Sequence, residues 1–286
     1  MKIAITGATG FIGTNLINFL QQQGHEILRL NRADFLGNEH LLKQKLSCSE
    51  VVVNLAGAPI VKRWTAKYRQ TIYDSRIFTT QKLVDALNPD VTKVLISMSA
   101  VGIYAEGKQT EYNFTYNEDF LAQICTDWEL EAQRKAGDIR TVVFRLGVVL
   151  GQGGALNKQL WLFKLGLGGK IGNGKQGYSW VHVDDVVRAI DFAIETDVCG
   201  GVYNLVAPKP VSNRVFTKTL ASLLHRPSFL MIPKFALHLL FGGGASVLVN
   251  GQFVYPERLL DQDFVFKHNY LVEALECVLR KAEVRV

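Results

Sequence analysis

Near the amino terminus, Thr6-Gly7-Ala8-Thr9-Gly10-Phe11-Ile12-Gly13 sets three glycines at three-residue spacing, directly after an apolar run and ahead of a helix-period segment. Such a loop can hold a pyrophosphate. Gly7 permits the tight turn, Gly10 lets the backbone approach the phosphates, and Gly13 lets helix and strand pack closely. The helix N-terminus presents N–H groups to the anion. Gly7, Thr9, Gly10, Phe11, Ile12 and Gly13 are therefore expected at a dinucleotide. About twenty residues beyond the loop, an NAD site usually carries an acidic residue for the ribose hydroxyls. Here the chain reads Asn31-Arg32. With no carboxylate to repel a 2′-phosphate, and with Arg32 able to pair with it through two N–H groups, NADP(H) is the expected cofactor. The competing reading leaves Arg32 on the surface and gives the ribose to Asp34.

A second chemical signal is charge. The 286 residues carry 32 Lys+Arg against 26 Asp+Glu, a formal net charge of +6. Between Asp138 and Asp184 there is no acidic residue but six basic ones: Arg140, Arg145, Lys158, Lys164, Lys170 and Lys175. Without them the counts balance at 26 and 26, so this stretch accounts for the whole excess. It also holds the glycine-rich pieces Gly151–Gly154 and Gly166–Gly174. Positive charge and exposed backbone amides suit a small anionic, phosphate-bearing substrate; the bland alternative is a solvated basic face. No recognition helix, zinc finger or aromatic RNA platform accompanies the lysines, so no specific nucleic-acid partner is expected. The four cysteines, Cys48, Cys125, Cys199 and Cys277, are widely spaced and lack paired Cys/His spacing. They point to reduced thiols in a cytoplasmic protein, with neither a metal site nor a disulfide framework. Phe235 to Pro256 is uncharged, but it contains His238, three consecutive glycines, Asn250 and Gln252, which a lipid-exposed span tolerates poorly. It reads as two packed helical pieces around a glycine turn, and no membrane partner is expected.

The elements that must position these groups alternate between strand and helix. Lys2–Thr6, His25–Leu30, Val51–Leu55, Lys93–Met98, Thr141–Leu146 and Tyr178–Val183 read as strands. Phe11–Gln23, a long Ala66–Leu87, Phe120–Ala136 and Asp184–Glu195 read as helices, the last with Asp184 as its N-cap. This alternation implies βαβ crossovers and a doubly wound parallel sheet, with ligands beyond the carboxyl ends of the strands. After about residue 200 prolines break the rhythm, and Tyr270–Ala282 looks like a closing amphipathic helix. The expected fold is α/β, a Rossmann-like parallel sheet with a smaller C-terminal substrate lobe. Residues 1–205 form the cofactor domain, with 147–180 contributing a substrate shelf, and 206–286 form the lobe.

These motifs match a known pattern. TGATGFIG, NLAG at Asn54–Gly57, the run Ser97–Tyr104 and WVHVDDVVRAI at Trp180–Ile190 together resemble the extended short-chain dehydrogenase/reductase superfamily. More narrowly, Arg63-Trp64, Ser75-Arg76, CTDWE at Cys125–Glu129, RLGVVLGQGG at Arg145–Gly154 and GNGKQGYSWVHVDD are similar to its atypical epimerase family subgroup. Members of that subgroup are described as nucleoside-diphosphate-sugar epimerases and carry a small C-terminal domain of unknown function, which the tail with VYPERLL resembles. The resemblance implies oxidoreductase or isomerase chemistry on a nucleotide sugar. It implies cofactor contacts at Asn31, Arg32, Leu55, Ala56, Gly57, Ser97, Gly147 and Val148 beside the glycine loop. Substrate contacts are expected at Arg63, Trp64, Lys175 and Trp180, and a homodimer is allowed.

Redox members of the superfamily use a Ser or Thr to hold the substrate oxygen and a Tyr to pass its proton. A Lys four residues after that Tyr lowers a phenol pKa ordinarily near about 10. Ser99 fits the first role, or else a plain strand-end hydroxyl bond. With Glu129 at the acidic helix position of the superfamily, the tyrosine's place falls on Leu121 and the lysine's on Cys125, and neither can do that work. Tyr104 and Lys108 have the right spacing but follow Ser99 too closely. Replacement acids are Tyr104, Cys125 or His182, each with a plainer structural reading. Two functions follow: an NADP(H)-dependent oxidoreductase or epimerase of phosphorylated or nucleotide-linked sugars, and a cofactor-binding protein with little or no turnover.

Overall fold

A computed structural model describes residues 1–283, apart from the side chains of Ala155, Lys158 and residues 281–283. The first half winds β1 (Lys2–Thr6), α1 (Phe11–Gln22), β2 (Glu26–Leu30), α2 (Arg32–Leu36), α3 (Glu39–Leu46), β3 (Val51–Asn54), α4 (Ala66–Asp74), α5 (Ile77–Ala86) and β4 (Val94–Ala100). After the short β5 (Gly107–Gln109) come α6 (Phe120–Ala132), β6 (Arg140–Leu146), β7 (Val148–Leu150), α7 (Gly154–Lys164) and β8 (Gly169–Ile171). Then follow β9 (Gly177–Tyr178), β10 (Trp180–His182), α8 (Val183–Glu195) and β11 (Gly201–Leu205). Six of these strands form one parallel sheet in the order β2-β1-β3-β4-β6-β11. The order reverses between β1 and β3, which opens a ligand crevice at their carboxyl ends.

Both faces of the sheet are covered, so its strands read as continuous apolar runs rather than alternating ones. Ile3, Ile5, Val51, Val53 and Ile96 join a cluster with Leu16, Ile17 and Leu20 of α1 and Val186 and Ile190 of α8. The alternate residues Ala4, Val52 and Leu95 pack with Leu42, Leu46, Leu83 and Val84 from α3 and α5. The last quarter contributes β12 (Val211–Ser212), α9 (Asn213–Leu223), β13 (Leu230–Ile232), α10 (Lys234–Phe241), α11 (Ser246–Val249), β14 (Gln252–Val254), α12 (Glu257–Asp261) and α13 (Leu271–Glu283). A second core joins α7, α9 and α13 through Leu160, Phe163, Phe216, Leu220, Leu275 and Val278. Leu259, Phe264 and Phe266 reach back into the main core beneath the parallel sheet. Among the described residues no helix is long and apolar enough to cross a membrane. The uncharged stretch folds as α10, a turn of 3-10 helix over Gly242–Ala245, and α11.

Several element boundaries differ from the sequence reading. The long helix breaks into α4 and α5 at Ser75-Arg76, where Ser75 Oγ accepts the Ala58 N–H at 2.9 Å. The strand read over Tyr178–Val183 breaks at Ser179, whose hydroxyl donates to Gln252 O (2.7 Å) and accepts from Val254 N (2.9 Å). The α6 helix ends at Ala132 and continues as 3-10 turn over Gln133–Lys135. Asp184 is not the N-cap of α8; His182 is, its Nδ1 accepting the Asp184 N–H at 3.1 Å. The sixth strand, β11, carries a polar Asn204 inside a five-residue run and gave no clear strand signal.

Candidate active site

The glycine loop stands at the carboxyl end of β1. Gly7 has φ +64°, and a Cβ there would lie 2.7 Å from Leu55 O. A Cβ at Gly13 would lie 2.3 Å from Gly7 O, so only glycine lets α1 start this close to the strand. Gly10 is the N-cap of α1 and offers no side-chain cap, which leaves first-turn N–H groups to face an anion. The Phe11 ring lies against the 151–154 loop, where a Cβ at Gly151, Gly153 or Gly154 would come within 2.6–2.8 Å of its carbons. Part of that loop's glycine content thus serves the ring rather than a phosphate. Gly147 likewise has a packing reason, since its Cβ would meet Ser179 O at 2.6 Å. Val148 pairs with Trp180 in the β7–β10 ladder.

A buried polar chain fixes the crevice walls. Thr6 Oγ1 donates to Asn54 Oδ1 (2.8 Å) and accepts the Leu55 and Ala56 N–H groups at 3.0 Å each. Asn54 Nδ2 donates to Thr80 Oγ1 (2.8 Å) and Ser97 Oγ (3.3 Å), and Trp128 Nε1 donates to Thr80 Oγ1 (2.9 Å). The Ser97 side chain is wholly buried in this chain, so it positions the strand ends and does not reach a cofactor. At the far end of the crevice Asn31 caps α2, accepting the Ala33 N–H (2.9 Å), while its own N–H donates to Asp34 Oδ2 (2.8 Å). Asp34 Oδ1 pairs with Lys45. Both oxygens of that carboxylate are thereby engaged, whereas Arg32, first residue of α2, is exposed. This geometry disfavours Asp34 as a ribose ligand.

The structure gathers the catalytic candidates and seals them. Ser99 on β4, Arg145 on β6 and Asn204 on β11 are register partners on adjacent strands and so share one face of the sheet. Glu129 of α6 meets that face. Its carboxylate accepts from Ser99 Oγ (2.6 Å) and from Arg145 Nε (2.8 Å) and Nη2 (2.7 Å). Arg145 Nη1 donates to the Tyr104 hydroxyl (2.7 Å) and Nη2 to the Tyr116 hydroxyl (2.8 Å), and Tyr104 donates to Asn204 Oδ1 (2.7 Å). Ser99, Tyr104, Glu129 and Arg145 are each no more than 5% exposed. The Tyr104 hydroxyl is fully buried and already donates to Asn204, so it does not reach a substrate, and burial pushes the phenol up to about 12 against the pull of Arg145. Burial also pushes the Cys125 thiol up to about 11, which leaves it protonated near neutrality. Neither replaces the absent Tyr/Lys pair. The sequence reading missed this network because it counted Arg145 as substrate charge; a lone acid in an otherwise apolar helix face, Glu129, was the available signal.

One cation was singled out only as part of a motif. Arg76, at the break between α4 and α5, lies against the loop after β3: a Cβ at Gly57 would sit 3.1 Å from its Cζ. Its Nη2 donates to Ala58 O (3.1 Å), and the guanidinium lies 5.3 Å from the Trp128 ring. Among the described residues it forms no ion pair with a carboxylate; burial lowers its pKa, and its charge acts on Cys125, where the missing lysine would be.

The substrate candidates are dispersed. Trp180 is fully buried in the second core and donates to Lys209 O (3.2 Å), so it cannot stack on a ligand. Trp64 is half-buried, donates to Ile60 O (2.9 Å) and packs edge-on to Phe120. Arg63 donates to Leu239 O (3.1 Å), tying this loop to α10. Lys175 is exposed in a turn. The basic stretch is not a single substrate face either. Arg140 sits at the amino end of β6, away from the crevice, where its guanidinium donates to four carbonyls, Ala193, Ile194, Thr196 and Cys199, at the end of α8. Arg145 is paired with Glu129. Lys170 lines a small hollow with Arg214 and Lys218, Lys164 is exposed, and the Lys158 side chain lies outside the described residues.

Residues 3–205 match the model of the NAD dependent epimerase/dehydratase family, and residues 232–278 match a domain of unknown function (DUF1731). The chain is 38% identical over 302 residues to the chloroplastic epimerase family protein SDR39U1 homologue of Arabidopsis thaliana, covering 98% of this chain and 87% of that one. The crystal structure of human epimerase family protein SDR39U1 (isoform 2) with NADPH superposes with a TM-score of 0.88 at 32% identity, over 97% of this chain and 99% of that one. A nucleoside-diphosphate sugar epimerase from Corynebacterium glutamicum gives 0.79 at 29% identity, over 98% of this chain and 58% of that one.

Proposed function

The chain belongs to the NAD dependent epimerase/dehydratase family, and on that premise we propose that it binds NADP(H) and acts as an oxidoreductase or epimerase on a phosphorylated or nucleotide-linked sugar. The observation that carries the cofactor assignment is the engaged Asp34 carboxylate beside the exposed Arg32. The Gly7, Gly10 and Gly13 cradle and the uncapped α1 fit a pyrophosphate, and Arg32 fits a 2′-phosphate. The NADPH in the human relative supports the same choice. Arg32→Ala should weaken NADPH about ten- to hundredfold and leave NADH almost unchanged, as charge-assisted bonds contribute about 1.5–3 kcal/mol. An unchanged NADPH/NADH ratio in a fluorescence titration would sink the assignment.

When bound, the nicotinamide supplies or accepts a hydride. On the protein side, Arg76 is the group suited to the reacting oxygen. Its position by Gly57 and Cys125, without a carboxylate partner among the described residues, fits a cation that steadies a developing oxyanion until solvent delivers the proton. Asn54, Thr80 and Ser97 keep the strand ends rigid around it. The test is NADPH with UDP-, GDP- and dTDP-linked sugars, following both cofactor oxidation and sugar products, since an epimerase regenerates its cofactor. Turnover that falls about a hundredfold in Arg76→Met, with NADPH affinity kept within a few fold, is the expected outcome. A second reading, a cofactor-binding protein with little turnover, is favoured by the tying of Ser99 to Glu129. Tight NADPH binding without products or oxidation would select it.

A further inference from the structure

Away from the crevice, three remote segments bring four potential ligands together: His182 and Asp184 at the start of α8, His268 in the loop after α12, and Cys277 in α13. One ligand atom from each lies within 4.8 Å of all the others. Asp184 Oδ2 is 3.6 Å from His182 Nδ1 and 3.6 Å from His268 Nε2. A four-coordinate zinc ion with bonds of about 2.0–2.3 Å needs its ligand atoms about 3.3–3.8 Å apart, so the His268–Asp184 spacing already suits it, and His182 joins through Nδ1 by exchanging the Asp184 N–H it accepts at 3.1 Å for the metal. The His268 ring is 6% exposed, and its Nε2 is buried with no hydrogen-bond partner, an orphan that a metal would satisfy. Asp185, itself fully buried, accepts the Lys267 N–H (2.6 Å) and the His268 N–H (3.0 Å) and so fixes the backbone that presents the ring. A hollow of about 400 Å³ lined by Lys267, His268, Glu273, Glu276, Cys277 and Arg280 opens onto the cluster and supplies an entry path. Lys267 Nζ stands 3.6 Å from Asp184 Oδ2 on a largely exposed side chain that can swing away.

We propose that His182, Asp184, His268 and Cys277 form a site for a divalent transition-metal ion, zinc by its donor set, that staples α13 and the 267–268 loop to the start of α8. Two nitrogens, one carboxylate oxygen and one thiolate sulfur make a donor set for zinc rather than for magnesium or calcium. Binding replaces the thiol proton by the metal and releases it to solvent. Cys/His spacing along the chain does not register such a site, because its ligands come from three segments that only the fold assembles.

The test is titration of tag-free, chelator-stripped full-length protein with Co²⁺ and then Zn²⁺. One equivalent of Co²⁺ should give the visible bands of a four-coordinate ion and a near-ultraviolet thiolate charge-transfer band, both removed by Zn²⁺, and Zn²⁺ should raise the melting temperature. Cys277→Ser should abolish the charge-transfer band, and His268→Gln should weaken affinity by at least about tenfold, the floor that even outer-shell partners reach. Protein that is folded by circular dichroism yet shows no charge-transfer band and no zinc-dependent melting shift overturns the proposal. So does a band that persists in Cys277→Ser. Should either variant misfold, the wild-type titration alone decides.

Discussion

Replacing Arg145 by Met should lower stability by about 3–5 kcal/mol, the penalty for leaving a buried charge without its partner. In a chain of this size that corresponds to a fall in melting temperature of about 5–15 °C. The reason lies in the geometry around Glu129, which would lose two of its three bonds and keep only the Ser99 hydroxyl. Tyr104 and Tyr116 would lose a donor at the same time. Glu129→Leu should be about as damaging, since Arg145 would then be the orphan. The double variant Glu129→Leu/Arg145→Met should be clearly more stable than either single one, because an apolar pair carries no desolvation penalty. Thermal melts of the four proteins form the cycle. If the two single losses simply add in the double variant, the pair is not coupled and the account of the sealed network fails.

Gly13→Ala should cut NADPH affinity by at least about a hundredfold, more than any single charge removal around the cofactor. The added methyl would lie 2.3 Å from Gly7 O and 3.0 Å from Ala8 Cα, and both are backbone atoms that cannot rotate away. The start of α1 must therefore shift from β1, and the N–H groups that face the pyrophosphate shift with it. Overpacking of this kind adds about 1–3 kcal/mol of destabilisation. Affinity should be read well below the melting transition, with Gly37→Ala as control, since a Cβ there comes no closer than 3.7 Å to Ala33 O. Near-normal NADPH binding by Gly13→Ala would show that the loop does not hold the phosphates as described.

Local pattern carried much of this protein. The glycine loop, the apolar strands and the Asn31-Arg32 step express requirements that neighbouring residues impose on one another: a turn, a buried strand, a helix start. Those are settled within a few residues, and so the parallel sheet, the crevice and the cofactor candidates could be read from the chain. The absence of a Tyr/Lys pair was equally legible, because that pair has a fixed spacing on one helix.

Tertiary structure decided the rest. Arg140 and Arg145 look alike in sequence, five residues apart in a run of bases. One closes the end of α8 and the other neutralises Glu129, because β6 carries them to opposite ends of the sheet. Trp180 looked like a substrate contact until α7, α9 and α13 enclosed it. Ser99 looked like a substrate ligand until α6 lowered a carboxylate onto it. Arg76 and the His182–Cys277 cluster acquired meaning only when distant segments met. Sequence spacing determines which groups share a turn or a strand; burial, pairing and the partner of a charge depend on segments that lie 16, 30 or 53 residues away and further, and only packing brings those together.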